Sequence, residues 1–344
     1  MSKMLTAAVL VALLFVMAGC GKNEAAAELK DDQMNVVTSF YPVYFLAKSI
    51  GGEAVNVVNL IPAGVEPHDW TPKSQDLNTA SKAQLLLYNG AGLETWVEDF
   101  LQGLPKDSAL KTKAVSDGIA LIEATEEEHA EHEGEAHGEE EHAADEHAEE
   151  DHAAEEKAAH EEEEHAHEHA GEHDPHTWVS PRSMLVMADN VLKALSEADA
   201  ANQADFETNY KALKERLTKL DADFSAKLGA AKKKDIVTTH QAFGYLARDY
   251  GLNQVAIMGL SPDAEPKAQD LLVIAKFVKE KGITHIFFEE LVSAELAQTL
   301  ARETGAETLV LNPAEGLTKE QESAGDDYVT LMERNLENLV KALQ

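Results

Sequence analysis

Fifteen histidines are spread unevenly along this chain, and their placement is its main chemical signal. Three of them, His68, His176 and His240, follow segments that end in proline or β-branched residues: Glu66-Pro67, Asp174-Pro175 and Thr238-Thr239. Proline fixes the backbone that leads into His68 and His176, so each imidazole is presented from a stiff loop. Three such rings at the ends of α/β strands point to one shared metal ion. His285, inside Thr284-His285-Ile286-Phe287-Phe288, lies in a buried-looking strand and reads as a satisfied core histidine.

The other eleven fall between Glu123 and His173: His129, His132, His137, His142, His147, His152, His160, His165, His167, His169 and His173. They are candidate auxiliary metal ligands. Alanine is the only plentiful apolar residue there, and 23 acidic residues face a single Lys, so the entropy of ordering goes uncompensated and a solvated tract is expected. The five-residue spacing of His137, His142, His147 and His152 matches neither one helix face nor one strand face. Most of the formal net charge of −34 comes from this tract. The remainder is mildly acidic and has no basic stripe, which excludes nucleic acid and an anionic membrane surface as partners.

The elements that must position the three loop histidines alternate between strand and helix. Strands are expected at 35–39, 55–61 and 84–88, with helices at 42–50, 73–81 and 93–101. A helix over 182–195 follows the tract, and then Phe206, Tyr210, Leu213, Leu217, Leu220, Phe224 and Leu228 step by four and three. That periodicity predicts one long helix over 205–228, a rigid connector rather than a dimer seam. Further strands are expected at 236–239, 254–257, 284–288 and 308–311, with helices at 242–250, 267–281 and 294–303 and a last one over 323–343. The fold class is α/β: two parallel-sheet domains joined by one long rigid helix, with the metal site in the interdomain cleft.

The expected domain limits are 34–122 and 174–204 for the first α/β domain, 123–173 for the tract, 205–230 for the connector and 231–344 for the second. Residues 1–19 have the order of a secretory signal, with Lys3 before the apolar run Leu5–Met17. The only cysteine, Cys20, ends Met17-Ala18-Gly19-Cys20, which resembles a bacterial lipobox; 20–33 would then be a lipidated N-terminus and tether.

The segments TSFYPVYFLAKSIGG, LIPAGVEPHDWTPKSQD, DPHTWVSP, THQAFGYLARDYGL, LSPDAEP and LVLNPAEGLT resemble those of the metal-binding lipoproteins that feed ABC importers, closest to the zinc-uptake branch. The resemblance implies an extracytoplasmic, lipid-anchored, monomeric protein that holds Zn²⁺ as cargo between its domains and hands it to an ABC permease and its ATPase. It implies His68, His176 and His240 as ligands, with Glu315 of NPAEGL as the fourth. Glu66 beside His68 is the alternative, and Glu289 and Glu290 are weaker candidates.

Three neutral imidazoles and one carboxylate suit zinc, whereas manganese prefers more oxygen donors. Manganese or broader metal uptake, with adhesion secondary to metal binding, is the runner-up. A secreted zinc hydrolase would need an open coordination position and a general base, and no HExxH motif is present, so no enzyme is expected. Because each ring must be neutral to coordinate, affinity is expected to weaken as pH falls through about 6.5.

Overall fold

The computed structural model describes residues 29–124, 172–262 and 266–344. Cys20 and ten of the tract histidines, His129 to His169, lie outside the described residues, while His173 lies within them.

The two central strands of the first sheet carry the apolar runs Val36-Val37 and Leu85-Leu86-Leu87, the pattern of parallel strands covered on both faces. Its elements are β1 (Met34–Thr38), α1 (Tyr41–Gly51), β2 (Val55–Asn59), α2 (Ser74–Ala80), β3 (Leu85–Tyr88), α3 (Val97–Gln102) and β4 (Lys111–Ala114). The strands are all parallel, in the order β2-β1-β3-β4. The edge strand β4 was not foreseen, because Lys-Thr-Lys-Ala is mostly polar and its first two residues are exposed. The helix expected from residue 93 begins at Val97, since Asn89–Glu94 forms a tight loop in which Gly90, Ala91 and Gly92 all have positive φ.

Helix α4 (Pro181–Ala198) has Ser180 as its N-cap, whose hydroxyl accepts the Arg182 N–H. It leads to α5 (Gln203–Gly229), which at about 1.5 Å per residue is about 40 Å long. Phe206, Leu213, Leu217, Leu220, Phe224 and Leu228 bury one face of α5 in a core that also takes in Val36, Leu46 and Leu87 of the first half and Phe243 and Leu336 of the second.

The second half contains β5 (Asp235–Thr238), α6 (Gly244–Tyr250), β6 (Asn253–Ala256), α7 (Ala268–Lys281), β7 (His285–Phe288), α8 (Glu295–Thr304), β8 (Glu307–Val310), α9 (Lys319–Ala324) and α10 (Tyr328–Ala342). Its strands form two parallel pairs, β5-β6 and β7-β8, with β5 beside β7. The single last helix expected over 323–343 is instead two. Gly325, at φ 77°, ends α9, and Asp327 caps α10 by accepting the Thr330 N–H.

His285 is the first residue of β7 and is half-buried, not a core residue. Its Nδ1 lies 2.9 Å from the Thr284 hydroxyl and its Nε2 lies 3.8 Å from Glu307. It sits at the amino end of its strand, whereas His68, His240, Glu289 and Glu315 all follow carboxyl ends. That edge of a parallel sheet is where ligands collect.

Candidate metal centre

His68 lies on the loop between β2 and α2. Gly64, at φ 83°, donates its N–H to the Leu317 carbonyl at 2.8 Å, which ties this loop to the loop carrying Glu315. The Glu66 carboxylate accepts the backbone N–H groups of His68 (3.0 Å) and Asp69 (3.2 Å), and Trp70 packs edge-on against Trp96 at 5.3 Å. Glu66 therefore shapes the loop and stands outside the group of four side chains whose ligand atoms converge. Burial pushes it up to about 6, partly offset by the charge of His68.

His176 follows Asp174-Pro175 just after the chain returns from the tract. Its neighbour Trp178 is buried against Phe40 at 4.7 Å and donates its indole N–H to the Pro313 carbonyl at 2.8 Å. His240 follows β5. Glu315 follows β8, on a loop where Ala314 takes the left-handed φ of 58°, a strained conformation for a residue with a Cβ. Asn312 holds that turn by accepting the Ala314 N–H at 2.7 Å, and Asn335 of α10 grips Asn312 through both its N–H and its carbonyl.

These four loops bring His68, His176, His240 and Glu315 together, with one ligand atom from each lying within 4.8 Å of the others. Nε2 of His176 is 3.1 Å from Nε2 of His68 and 3.3 Å from Nε2 of His240. Oε1 of Glu315 lies 3.6, 3.6 and 3.9 Å from the Nε2 atoms of His68, His176 and His240. A tetrahedral zinc with bonds near 2.0–2.1 Å has ligand-to-ligand edges of about 3.3 Å, close to these values. Oε1 of Glu315 is buried and has no hydrogen-bond partner, a costly state for a carboxylate unless a cation answers it.

The outer nitrogens of two rings are fixed by buried carboxylates. Nδ1 of His176 is 2.8 Å from Oδ1 of Asp174, and Nδ1 of His240 is 2.7 Å from Oε2 of Glu289. Glu289 also accepts the Thr239 hydroxyl and the His240 N–H. A carboxylate at Nδ1 keeps the proton there and turns the Nε2 lone pair toward the centre. Sequence reasoning weighed Glu289 only as a weak ligand and did not single out Asp174. The carboxylate two residues before His176 was a usable signal, whereas Glu289 stands 49 residues from His240. Glu290, the other weak candidate, accepts from Asn312 and Gln321 instead.

Electrostatics follow from this burial. His176 is held well below its usual range by desolvation and by its two neighbouring rings, so it is neutral and ready to coordinate. For His240, burial alone would lower the value, but the adjacent Glu289 outweighs it and raises the ring to about 9. For Glu315, burial would raise the value, but the nearby ring and charge of His68, and then the charges of His240 and His176, bring it down to about 2.

Three imidazoles and a carboxylate converging between two parallel α/β halves define a two-lobed metal-binding protein. Residues 36–342 match the family described as zinc-uptake complex component A, periplasmic (ZnuA), and the chain belongs to that family. It is 38% identical over 317 residues to the zinc-binding protein AdcA of Streptococcus pyogenes, covering 92% of this chain and 57% of AdcA. The chain thus spans little more than half the length of the AdcA relatives. It is also 38% identical over 337 residues to the high-affinity zinc uptake system protein ZnuA of Bacillus subtilis, covering 97% of this chain and 96% of that one. The Zn(II)-bound ZnuA-like domain of Streptococcus pneumoniae AdcA superposes with a TM-score of 0.69 at 35% identity, over 90% of this chain and 99% of that domain.

Proposed function

We propose that this chain is the extracytoplasmic capture component of a zinc importer, holding one Zn²⁺ through His68, His176, His240 and Glu315 and passing it to an ABC permease driven by its ATPase. The observation that carries the reading is the buried, unpartnered Oε1 of Glu315 facing three Nε2 atoms at near-tetrahedral spacings. Four protein ligands close the centre, whereas a hydrolytic zinc keeps a position open for water. The reading therefore assigns binding and release, not a reaction.

In the same reading the chain acts as a monomer anchored through a lipidated Cys20, and the tract histidines, including His173, bind further zinc more weakly than the cleft does. The four-stranded sheet and the two strand pairs support an N-terminal domain of 34–122 with 174–204 and a C-terminal domain of 231–344, joined by 205–230.

Elemental analysis of protein purified without added metal, followed by competition between Zn²⁺ and Mn²⁺, tests the proposal. One tight zinc per chain, lost when His68, His176 and His240 are all changed to Ala, is expected. Tight zinc that survives the triple change overturns the site.

A further inference from the structure

The residues that follow His240, in Thr239-His240-Gln241-Ala242-Phe243-Gly244-Tyr245, have a role that the ligand itself does not explain. We propose that Gly244 and Tyr245 form a cradle that positions Asp174 and, through it, the ring of His176. The inference rests on reading the cleft as a zinc site.

Tyr245 is fully buried. Its hydroxyl donates to the Asp174 carbonyl at 2.7 Å and accepts the Ile122 N–H at 3.2 Å. The Asp174 N–H in turn donates to the Ile122 carbonyl at 2.8 Å, so one hydroxyl from α6 bridges the two chain segments that flank the tract. Arg248, nearly one turn further along α6, lies over the Tyr245 ring at 4.9 Å and donates to the Ala120 carbonyl at 2.6 Å, holding the same segment from the other side.

Gly244 serves the side chain of Asp174 as Tyr245 serves its backbone. A Cβ at residue 244 would collide with Oδ2 of Asp174 and would sit 3.4 Å from Cδ1 of Ile122, so any side chain there displaces the carboxylate. The other oxygen, Oδ1, accepts both the His176 N–H at 2.9 Å and, at 2.8 Å, the Nδ1 proton. Asp174 is thus gripped from α6, after one ligand, and fixes the next ligand along the cluster. His176 is the hub of that cluster, with both shorter Nε2 separations made to it. An imidazole whose outer partner shifts loses both its orientation and its tautomer.

A purely structural role for this pair would lower stability without singling out the metal. Zinc binding by the full-length chain is therefore measured by competition with a chromophoric chelator for Tyr245→Phe, Gly244→Ala and Tyr250→Phe. Tyr250 donates its hydroxyl to Asp221 at 2.9 Å on the same helix and serves as the comparator. The tightest zinc, defined as the one lost in His176→Ala, is expected to weaken by about 10- to 100-fold in Tyr245→Phe and Gly244→Ala and to be unchanged in Tyr250→Phe. The absorption bands of the Co²⁺-substituted centre should shift in the first two variants only. In an Asp174→Asn background, Tyr245→Phe should add less than about threefold, because both changes act through one residue. Wild-type affinity in Tyr245→Phe, or a loss fully additive with Asp174→Asn, overturns the cradle while leaving the zinc site standing. A tight zinc indifferent to His176→Ala overturns both.

Discussion

Oε1 of Glu315 lies 3.6 Å from Nε2 of His176, buried and without a hydrogen-bond donor, while the outer nitrogen of the same ring is held by Asp174. The carboxylate and the ring lone pair face one another, so both must gain from a cation placed between them.

Glu315→Gln keeps the shape of the side chain and removes its charge. Loss of a ligand should exceed the roughly 10- to 100-fold cost of losing an outer partner, so zinc affinity should fall by more than about 100-fold. Glu66→Ala should leave affinity within a few-fold, because Glu66 only accepts backbone N–H groups of its own loop. Isothermal calorimetry on both variants checks the assignment, and the reverse ranking would sink it.

Glu289→Gln should weaken zinc by about tenfold while preserving one site per chain, since it loosens the His240 ring without removing a ligand. The same change should bring the His240 titration down from about 9, because Glu289 contributes most to raising it, ahead of Glu315 and Glu66. Histidine NMR titration of metal-free protein reads this directly.

The pH window of zinc binding should sit higher than the value near 6.5 expected from the sequence. A ring raised to about 9 is protonated in the metal-free protein at pH 7, and zinc must displace that proton. Affinity should therefore keep rising from about pH 6.5 up to about 9. For the metal-free fold the sign is opposite: the stability contributed by charged His240 is complete below about 6.5 and is lost as pH rises through about 9. Proton release is measured by calorimetry in buffers of differing ionisation enthalpy, and zero release at pH 7.5 would contradict the account.

Leu217→Ala should destabilise the protein by about 2–5 kcal/mol, because this fully buried side chain lies on the face of α5 that enters the common core. Urea denaturation should show the loss in a single transition if both halves share that core. Two separated transitions would show that they do not.

Replacing residues 125–171 with a short turn should leave the fold and the tight site intact. Glu123 pairs with His173 in an antiparallel bridge, and the Ala124 N–H donates to the Glu172 carbonyl at 2.9 Å, so the cut ends are already neighbours. Total bound zinc should fall while one tight site persists. Disappearance of that site from a folded protein would reverse the roles given to cleft and tract.

The sequence made the three converging histidines legible because each follows a stiff or β-branched segment, and the periodic face of α5 announced the long helix. Glu315 came from resemblance rather than from its own setting, and its support by Asn312 and Asn335 depends on helix α10 folding back over the loop. Glu289 and the pair Gly244-Tyr245 act across the tertiary structure, where spacing along the chain carries no sign of them. The edge strand β4 was missed because its polar Lys-Thr-Lys run hides a strand that only its partner β3 defines.

His68 and His176 are separated by 108 residues and His176 and His240 by 64, and Glu315 comes from the loop after the last strand. An incompletely folded chain therefore has the four side chains without having the centre they form together. If these four side chains hold the zinc as proposed, tight capture begins only when the last strand and the loop after it have docked. Zinc and chain maturation then report on one another: an incompletely folded molecule cannot compete for the ion, and a loaded one is more resistant to opening, and so to proteases, than its empty counterpart.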